Sequence, residues 1–365
     1  MAPPLSRGTC PEAGLDADEL NRIVPALTGY LRPSPVHPWC AGAVVLAGRG
    51  ETVALHEAIG WAVRYSGYDE AADRGVELPR GWRVPMRPDT LFDLASLTKL
   101  FTATLAAAHL DPDAAVASYL PRFAAAGKEA VTVRMLLDHT SGFRPELPFY
   151  DQPTAEERAE LLWREAPASP PGGARVYSDL NLITVQYALE AVTGRPLDRL
   201  IRDEITTPYG MADTRFNPSR RLLPRIAAME DQRRPWGRLD RGMVHGVVHD
   251  ENAYAMGGVS GHAGLFSTAW DLALFCRALL DRGGPWDGFE KDQPWFMGEL
   301  AGGGAVGHTG FTGTSLVVDP ASGSFLVLLA NSVHPSRTWR EGSAPRAAAA
   351  TGLARAIRKA AADGA

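Results

Sequence analysis

Apolar residues are arranged as strands near both ends of the chain. Residues 42–62 (GAVVLAGRGETVALHEAIGWA) predict two strands around a turn at Gly48-Arg49-Gly50. Residues 312–332 (TGTSLVVDPASGSFLVLLANS) predict a second hairpin, with its turn at residues 319–323. An Ala- and Arg-rich segment over residues 344–362 predicts a closing helix.

Helical patterns dominate the rest of the chain. Helices are predicted over residues 16–32, from Ser96 to Leu110, in three runs within residues 130–200, and over residues 268–282. The polar segments 63–90 and 217–262 are rich in Arg, Pro or Gly and predict loops.

This order of elements favours an α+β fold. Strands from both ends of the chain would form one antiparallel sheet flanked by helices, with a mainly helical lobe inserted between them. We expect residues 1–110 and 260–365 to form the lobe that carries the sheet, and residues 111–259 to form the helical lobe. A groove between the two lobes is where a site is expected.

Composition narrows the possible functions. The chain has 365 residues and a formal net charge of −5, which gives no basic footprint for nucleic acid. It has no run of 18 apolar residues, so we expect no membrane span, and its polar start predicts no signal peptide. The three cysteines are widely spaced, which is typical of free thiols. These features predict a cytoplasmic protein, although removal of a leader sequence is left open.

The first candidate for chemistry is the pair Ser96 and Lys99. Residues three apart on a helix lie on the same face, so the lysine can reach the serine hydroxyl. At the start of a helix, free N–H groups also favour a developing oxyanion. Serine is equally a common N-cap, so this spacing alone leaves a purely structural role open.

Further segments in the same order along the chain support a catalytic role. The sequence LFDLASLTKLFTA resembles the nucleophile region of the serine β-lactamase and penicillin-binding-protein superfamily, and is most similar to its esterase-like and class C β-lactamase-like branch. The other segments that resemble this superfamily are RMLLDHTSGF (134–143), VYSDLN (176–181), PYGMADTRF (208–216) and GHTG (307–310).

The resemblance implies a role for each matched residue. Ser96 would be the nucleophile, and Lys99 and Tyr177 would move its proton, with the choice of base left open. The backbone N–H groups of Ser96 and Phe311 would form the oxyanion hole. Thr309 and Gly310 would bind substrate, and the glycine would let a substrate backbone approach the strand edge. We expect the Lys99 charge to lower the pKa of Tyr177.

Two positions depart from a typical β-lactamase. Asp179 stands where asparagine is usual; it cannot donate a hydrogen bond to an acylamino carbonyl, and it would keep Lys99 protonated. Alternatively, Asp179 would bind a cationic or hydroxylated group of the substrate. His308 stands where lysine is usual, and a histidine that is mostly neutral at pH 7 gives no permanent charge for a carboxylate. Both departures favour an ester or amide hydrolase over a dedicated β-lactamase.

Three other features have weaker interpretations. His245, His249 and His262 are surrounded by glycines, so we predict no metal site there. The stretch VHDENAYAMGGVSGHAGLFS (248–267) resembles a branch that includes cell-wall amidases, and either lines the cleft or is a loop with buried polar contacts. Ser141, with His139, is a poor rival nucleophile, because residues two apart on a turn rarely align.

Three functions therefore compete. The first is a carboxylesterase-like serine hydrolase acting through an acyl-enzyme on Ser96. The second is a peptidase or amidase for peptidoglycan fragments, or a weak β-lactamase. The third is a catalytically idle homologue that binds a ligand. We predict a small-molecule ester, amide or peptide as substrate, no cofactor or metal, and no nucleic-acid or membrane partner.

Overall fold

The computed structural model describes residues 5–34, 36–339 and 341–363, so the first four residues of the polar N-terminus lie outside it. Its strands, in chain order, are β1 (Ser6–Arg7), β2 (Gly42–Arg49), β3 (Thr52–Val63), β4 (Tyr65–Asp69), β5 (Arg74–Glu77), β6 (Val84–Pro85), β7 (Phe92–Asp93), β8 (Arg215–Phe216), β9 (Asp231–Gln232), β10 (Gly242–Met243), β11 (Leu265–Ser267), β12 (Glu290–Lys291), β13 (Val306–Thr309), β14 (Ser315–Asp319) and β15 (Ser324–Ala330).

The α-helices lie mostly between the two groups of long strands. In chain order they are α1 (Ala17–Asn21), α2 (Ile23–Gly29), α3 (Thr98–His109), α4 (Val133–Leu137), α5 (Ala155–Arg164), α6 (Asp179–Thr193), α7 (Leu197–Ile201), α8 (Glu251–Ala255), α9 (Ala269–Arg282), α10 (Pro294–Met297) and α11 (Ala344–Asp363).

The main sheet joins the two ends of the chain, as the sequence predicted. Its strand order is β1-β3-β2-β15-β14-β13-β12, with β6 also paired to β3. Strands β2 and β15 pair antiparallel, with Leu46 opposite Val327, and the other central neighbours are antiparallel too. The exception is β1, which pairs parallel to β3 at the edge, so the sheet is mixed rather than wholly antiparallel.

Helices cover both faces of this sheet. Val44 and Leu46 of β2 belong to the cluster that includes the buried residues of α3, α6 and α9. Val45 and Ala47 belong to the cluster that includes α2 and α11. Because alternate residues of a strand point to opposite faces, a continuous apolar run such as that of β2 fits a strand buried on both sides.

Three local predictions need correction. Residues 217–262 are not loop alone, because they contain the paired strands β9 and β10 and the short helix α8. Residues 63–90 contain the β4–β5 hairpin rather than loop alone, because Tyr65 is buried against Trp339. The predicted helix over residues 16–32 is divided into α1 and α2, which places Pro25 in the first turn of α2, where its missing N–H breaks no helical hydrogen bond. The division into lobes at residues 110 and 260 remains a prediction.

Candidate active site

The nucleophile candidate lies on a tight turn between β7 and α3. Ala95 has a φ of 47°, a left-handed conformation that is unfavourable for a residue with a Cβ. The buried carboxylate of Asp93 accepts hydrogen bonds from the N–H of Ala95 at 2.8 Å and from the N–H of His249 at 2.6 Å. These bonds hold the turn that presents Ser96 at the start of the helix.

Lys99 is buried directly beside the Ser96 hydroxyl. Its ammonium lies 2.8 Å from Ser96 Oγ, 2.7 Å from Asp179 Oδ1 and 3.4 Å from the carbonyl oxygen of His262. The Tyr177 hydroxyl also interacts with this ammonium, so its three N–H donors have four neighbouring partners. Burial alone would lower the pKa of Lys99, but Asp179 and Tyr177 together outweigh it and raise the pKa above its usual value.

Tyr177 completes the group around Ser96. Its ring centroid lies 4.6 Å from that of His139 and 5.9 Å from that of His308, with the Lys99 ammonium 4.7 Å away. Contrary to our expectation, the pKa of Tyr177 is raised, because burial of the phenol outweighs the charge of Lys99. Hydrogen bonding to Lys99 and Ser96 acts in the opposite direction and lowers it in part.

The turn around His139 packs against Tyr177 and is held by hydrogen bonds to the start of α6. His139 Nδ1 accepts hydrogen bonds from the Ser178 N–H at 3.2 Å and from Asn181 Nδ2 at 2.9 Å, and burial lowers the pKa of His139 to about 2. Ser141 Oγ donates to Asn181 Oδ1 at 2.6 Å. With His139 Nδ1 and the Ser141 hydroxyl both bonded to Asn181, this serine supports the turn, in line with the low weight given to it as a nucleophile.

A chain segment after β13 is joined to the nucleophile turn. Thr312 Oγ1 donates to the carbonyl of Asp93 at 2.8 Å, and Thr314 Oγ1 donates to the carbonyl of Leu94 at 3.0 Å. A Cβ on Gly310 would lie 2.4 Å from the Leu94 oxygen. The glycine therefore permits close packing of the two segments, which is a different reason from the substrate approach that we expected.

Arg346, on α11, fixes the same segment from the other side. Its fully buried guanidinium donates to the carbonyls of Gly310 at 2.8 Å and Thr314 at 3.2 Å. Sequence reasoning missed Arg346, Thr312 and Thr314. The two threonines stand beside the recognised GHTG segment, whereas an arginine in an Ala/Arg-rich helix gives no local signal.

His308 lies next to this segment as a neutral imidazole. Its Nδ1 is 2.7 Å from the carbonyl oxygen of Thr309, and since a carbonyl only accepts, Nδ1 carries the proton. Burial, reinforced by the charge of Lys99, lowers the pKa of His308 to about 3. This agrees with the expectation that His308 supplies no positive charge.

Asp179 also belongs to a second cluster of titratable side chains near Lys99. Atoms of Asp179, Asp250 and His262 that could ligate a metal lie within 4.8 Å of one another. Within this cluster the Lys99 ammonium is paired with Asp179, and His262 Nε2 lies 2.9 Å from Asp250 Oδ1. Burial alone would lower the pKa of His262, but Asp250 and Asp179 together raise it.

The glycine-rich stretch around His249 both lines the site and has buried polar contacts. His249 Nε2 lies 2.8 Å from the buried Glu230, whereas His245 Nε2 lies 2.8 Å from the carbonyl of Ile226. The two histidines therefore contact different partners.

Arg337 bridges Glu230 and Glu251, and its guanidinium carbon lies 5.7 Å from the centre of the Phe311 ring.

Two cavities include Ser96 in their walls. The first has a volume of about 340 Å³ and is lined by Arg175, Glu290, Gln293, Trp295, His308 and Thr309 in addition to residues shared with the second. The second has a volume of about 190 Å³ and is lined by acidic and basic residues that include Asp179, Asp250, Glu251 and Arg337. Ser96, Tyr177 and Phe311 line both cavities, so both border the candidate nucleophile.

The fold is β-lactamase/transpeptidase-like, a fold of serine hydrolases, and in it Ser96 and Tyr177 lie beside the buried Lys99. The sequence profile of the Beta-lactamase family matches residues 29–351, and the chain belongs to that family.

Known proteins agree with this assignment. A putative D-alanyl-D-alanine carboxypeptidase of Escherichia coli (strain K12) is 33% identical over an alignment of 307 positions that covers 67% of this chain and 70% of that protein. A class C β-lactamase structure superposes with a TM-score of 0.67 at 17% identity, covering 94% of this chain and 97% of the other. EstCE1, a hydrolase with promiscuous acyltransferase activity, superposes with a TM-score of 0.65 at 19% identity, covering 92% and 99%.

The helices give no sign of a membrane span. Within residues 5–34, 36–339 and 341–363, no helix combines the length and apolar character needed to cross a bilayer.

Proposed function

We propose that the protein hydrolyses an ester or amide through an acyl-enzyme on Ser96. The observation that carries this proposal is the environment of the Lys99 ammonium, which lies between Ser96 Oγ, Asp179 and the His262 carbonyl. A lysine that donates to the serine oxygen cannot also accept its proton. The phenol of Tyr177, which interacts with both Ser96 and Lys99, is the base that this geometry favours.

The chemical steps follow from that assignment. Tyr177, as phenolate, takes the Ser96 proton while Oγ bonds to the substrate carbonyl carbon, and the N–H groups of Ser96 and Phe311 hold the oxyanion. Tyr177 then returns the proton to the leaving group as its bond to carbon breaks. Water repeats the sequence on the acyl-enzyme, giving the acid and free Ser96. Because burial raises the pKa of Tyr177, acylation should become faster towards alkaline pH.

The neutral state of His308 favours a carboxylesterase-like activity as the first candidate. Its Nδ1–H is used by the Thr309 carbonyl, so this position offers no cation to a substrate carboxylate. The anionic Asp179 beside Lys99 also counts against an acylamino β-lactam.

A peptidase that acts on peptides ending in D-Ala is the second candidate. The carboxypeptidase name of the Escherichia coli relative favours it, as does the presence of Arg175 in the larger cavity. The two candidates differ in whether the substrate carries a carboxylate into that cavity.

Covalent labelling tests the proposal. A fluorophosphonate probe should add one mass equivalent to the wild-type protein and none to Ser96→Ala, because only the serine hydroxyl can be phosphonylated. Folded wild-type protein that stays unlabelled would contradict both enzyme candidates. Turnover of p-nitrophenyl acetate, nitrocefin and an acyl-D-Ala-D-Ala peptide then separates esterase, β-lactamase and peptidase activities.

A further inference from the structure

The larger cavity beside Ser96 contains an arginine that the family resemblance did not assign. Arg175 comes from the loop before α6, and Glu290 comes from the edge strand β12, opposite Gly307 of β13. Their side chains form an ion pair at the cavity wall. Among the described residues that line this cavity, Arg175 is the one with a permanent positive charge.

The positive charge of Arg175 affects the protonation of neighbouring site residues. Its charge contributes to the lowered pKa of His308 and of His139, the two imidazoles that flank Tyr177. His308, which is already neutral, cannot attract an anion. A substrate carboxylate entering this cavity would therefore meet Arg175 as its cationic partner, with a planar guanidinium suited to two parallel hydrogen bonds.

Glu290 sets the strength of that attraction. The Arg175 side chain is 48% exposed and the Glu290 side chain only 16%, so the carboxylate is the more fixed member of the pair. A substrate carboxylate must compete with Glu290 for the same guanidinium. An uncharged substrate end meets no such competition, so the ion pair sets how strongly the cavity distinguishes carboxylate from neutral substrates.

We propose that Arg175 is the specificity-determining residue for a carboxylate-bearing substrate and that Glu290 restrains it by holding its guanidinium. This proposal rests on the proposed function and deepens its second candidate, the peptidase, because it concerns the same Ser96 site. It names the substrate class as an acyl donor whose end in this cavity carries a free carboxylate, as the end of a peptide does.

A pair of matched thioesters tests the proposal. Hippuryl thioglycolate and its thioglycolamide share one acyl group and differ in whether the leaving group carries a carboxylate. The readout is the ratio of their kcat/KM values. Arg175→Gln should lower this ratio about 10-fold or more, since it removes a charged hydrogen-bonding partner. Glu290→Gln should raise the ratio several-fold, because it releases the guanidinium.

Controls separate the possible outcomes. Arg122→Gln removes an arginine from a surface ion pair with Glu160 and should leave the ratio unchanged. The wild-type ratio should also fall as salt is raised, because part of the attraction is screened. An unchanged ratio in Arg175→Gln, or a change in the same direction in both cavity variants, would overturn the proposal.

A second probe covers the case in which neither thioester is turned over. The affinities of 3-carboxyphenylboronic acid and 3-carbamoylphenylboronic acid, which add to the serine hydroxyl, then give the same ratio by competition with fluorophosphonate labelling. If wild-type Ser96 reacts neither with the fluorophosphonate nor with the boronic acids, the proposed function itself fails. If it reacts and the boronate ratio is unaffected by Arg175→Gln, only the specificity proposal fails.

Discussion

The ammonium of Lys99 lies 2.7 Å from a carboxylate oxygen of Asp179. This anion raises the pKa of Lys99 and contributes to the raised pKa of Tyr177. Replacing Asp179 by Asn removes the charge, so both groups lose a proton more readily. We expect the rising limb of Ser96 labelling against pH to move to lower pH by about 1 unit or more.

The rate of fluorophosphonate labelling, followed from pH 6 up to the alkaline limit at which each variant stays folded, measures this shift without a known substrate. Asp113→Asn, which removes a fully exposed carboxylate paired with Arg134, should leave the limb in place. A limb that stays in place in Asp179→Asn would show that neither Lys99 nor Tyr177 controls activation of Ser96.

Arg346 offers a test of how the proposed oxyanion hole is positioned. A lysine at this position cannot donate to Gly310 and Thr314 with the forked geometry of the guanidinium. We expect Arg346→Lys to lower kcat about 10-fold with a small change in KM, because the donors are displaced from the transition-state oxygen. Phenylboronic acid forms a tetrahedral adduct with the serine hydroxyl that resembles the transition state. Its affinity should therefore fall in parallel with kcat.

Arg355→Lys is a suitable control, since this arginine is exposed on the same helix and paired with Glu299. A lower melting temperature for Arg346→Lys with unchanged kcat and unchanged boronate affinity would limit Arg346 to a structural role.

Local patterns in the sequence predicted the two hairpins and the proximity of Ser96 and Lys99, whereas the roles proposed for Ser96, Lys99 and Tyr177 came from the resemblance to the superfamily. The hairpins depend on short-range alternation, and Ser96 and Lys99 are related by helical spacing alone. What the sequence could not give depends on distant contacts. The bond from Arg346 to Gly310 joins two elements, and the raised pKa of Tyr177 depends on how deeply the phenol is buried.

Gly310 gives a steric test of the packing between residues 310–314 and the turn that carries Ser96. An alanine Cβ there would lie 2.1 Å from Thr314 Oγ1 and 2.4 Å from the Leu94 oxygen, so the segment carrying Phe311 must move away from Ser96. We expect Gly310→Ala to lower kcat about 100-fold, a loss comparable to that of one oxyanion donor.

Gly303→Ala is the matched control, because its Cβ would meet only the Leu300 oxygen at 3.8 Å. Steady-state ester hydrolysis and thermal melting of both variants measure the effect. Near-normal kcat in Gly310→Ala would mean that this packing does not set the active geometry.

His334 predicts how stability depends on pH. Its Nδ1 lies 2.7 Å from the Met229 carbonyl oxygen, while Nε2 accepts from the N–H groups of Arg64 and Tyr65 at 3.0 and 3.1 Å, so the buried ring is neutral. Burial lowers its pKa to about 3 from a usual 6.5. The unfolded chain then binds one more proton between these values, so stability falls as the pH falls from about 6.5 towards 3. The slope is about 1.4 kcal/mol per pH unit for this residue well below pH 6.5.

Urea unfolding at pH 7, 6, 5 and 4.5 measures that slope. His334→Gln should be less stable at pH 7 but should lose stability more slowly on acidification, because it lacks the titrating group. Ser336→Ala removes a nearby buried hydroxyl, which lies 2.8 Å from Thr338 Oγ1, and should lower stability without changing the slope. Equal slopes in the wild type and His334→Gln would show that His334 is not the source of the acid sensitivity.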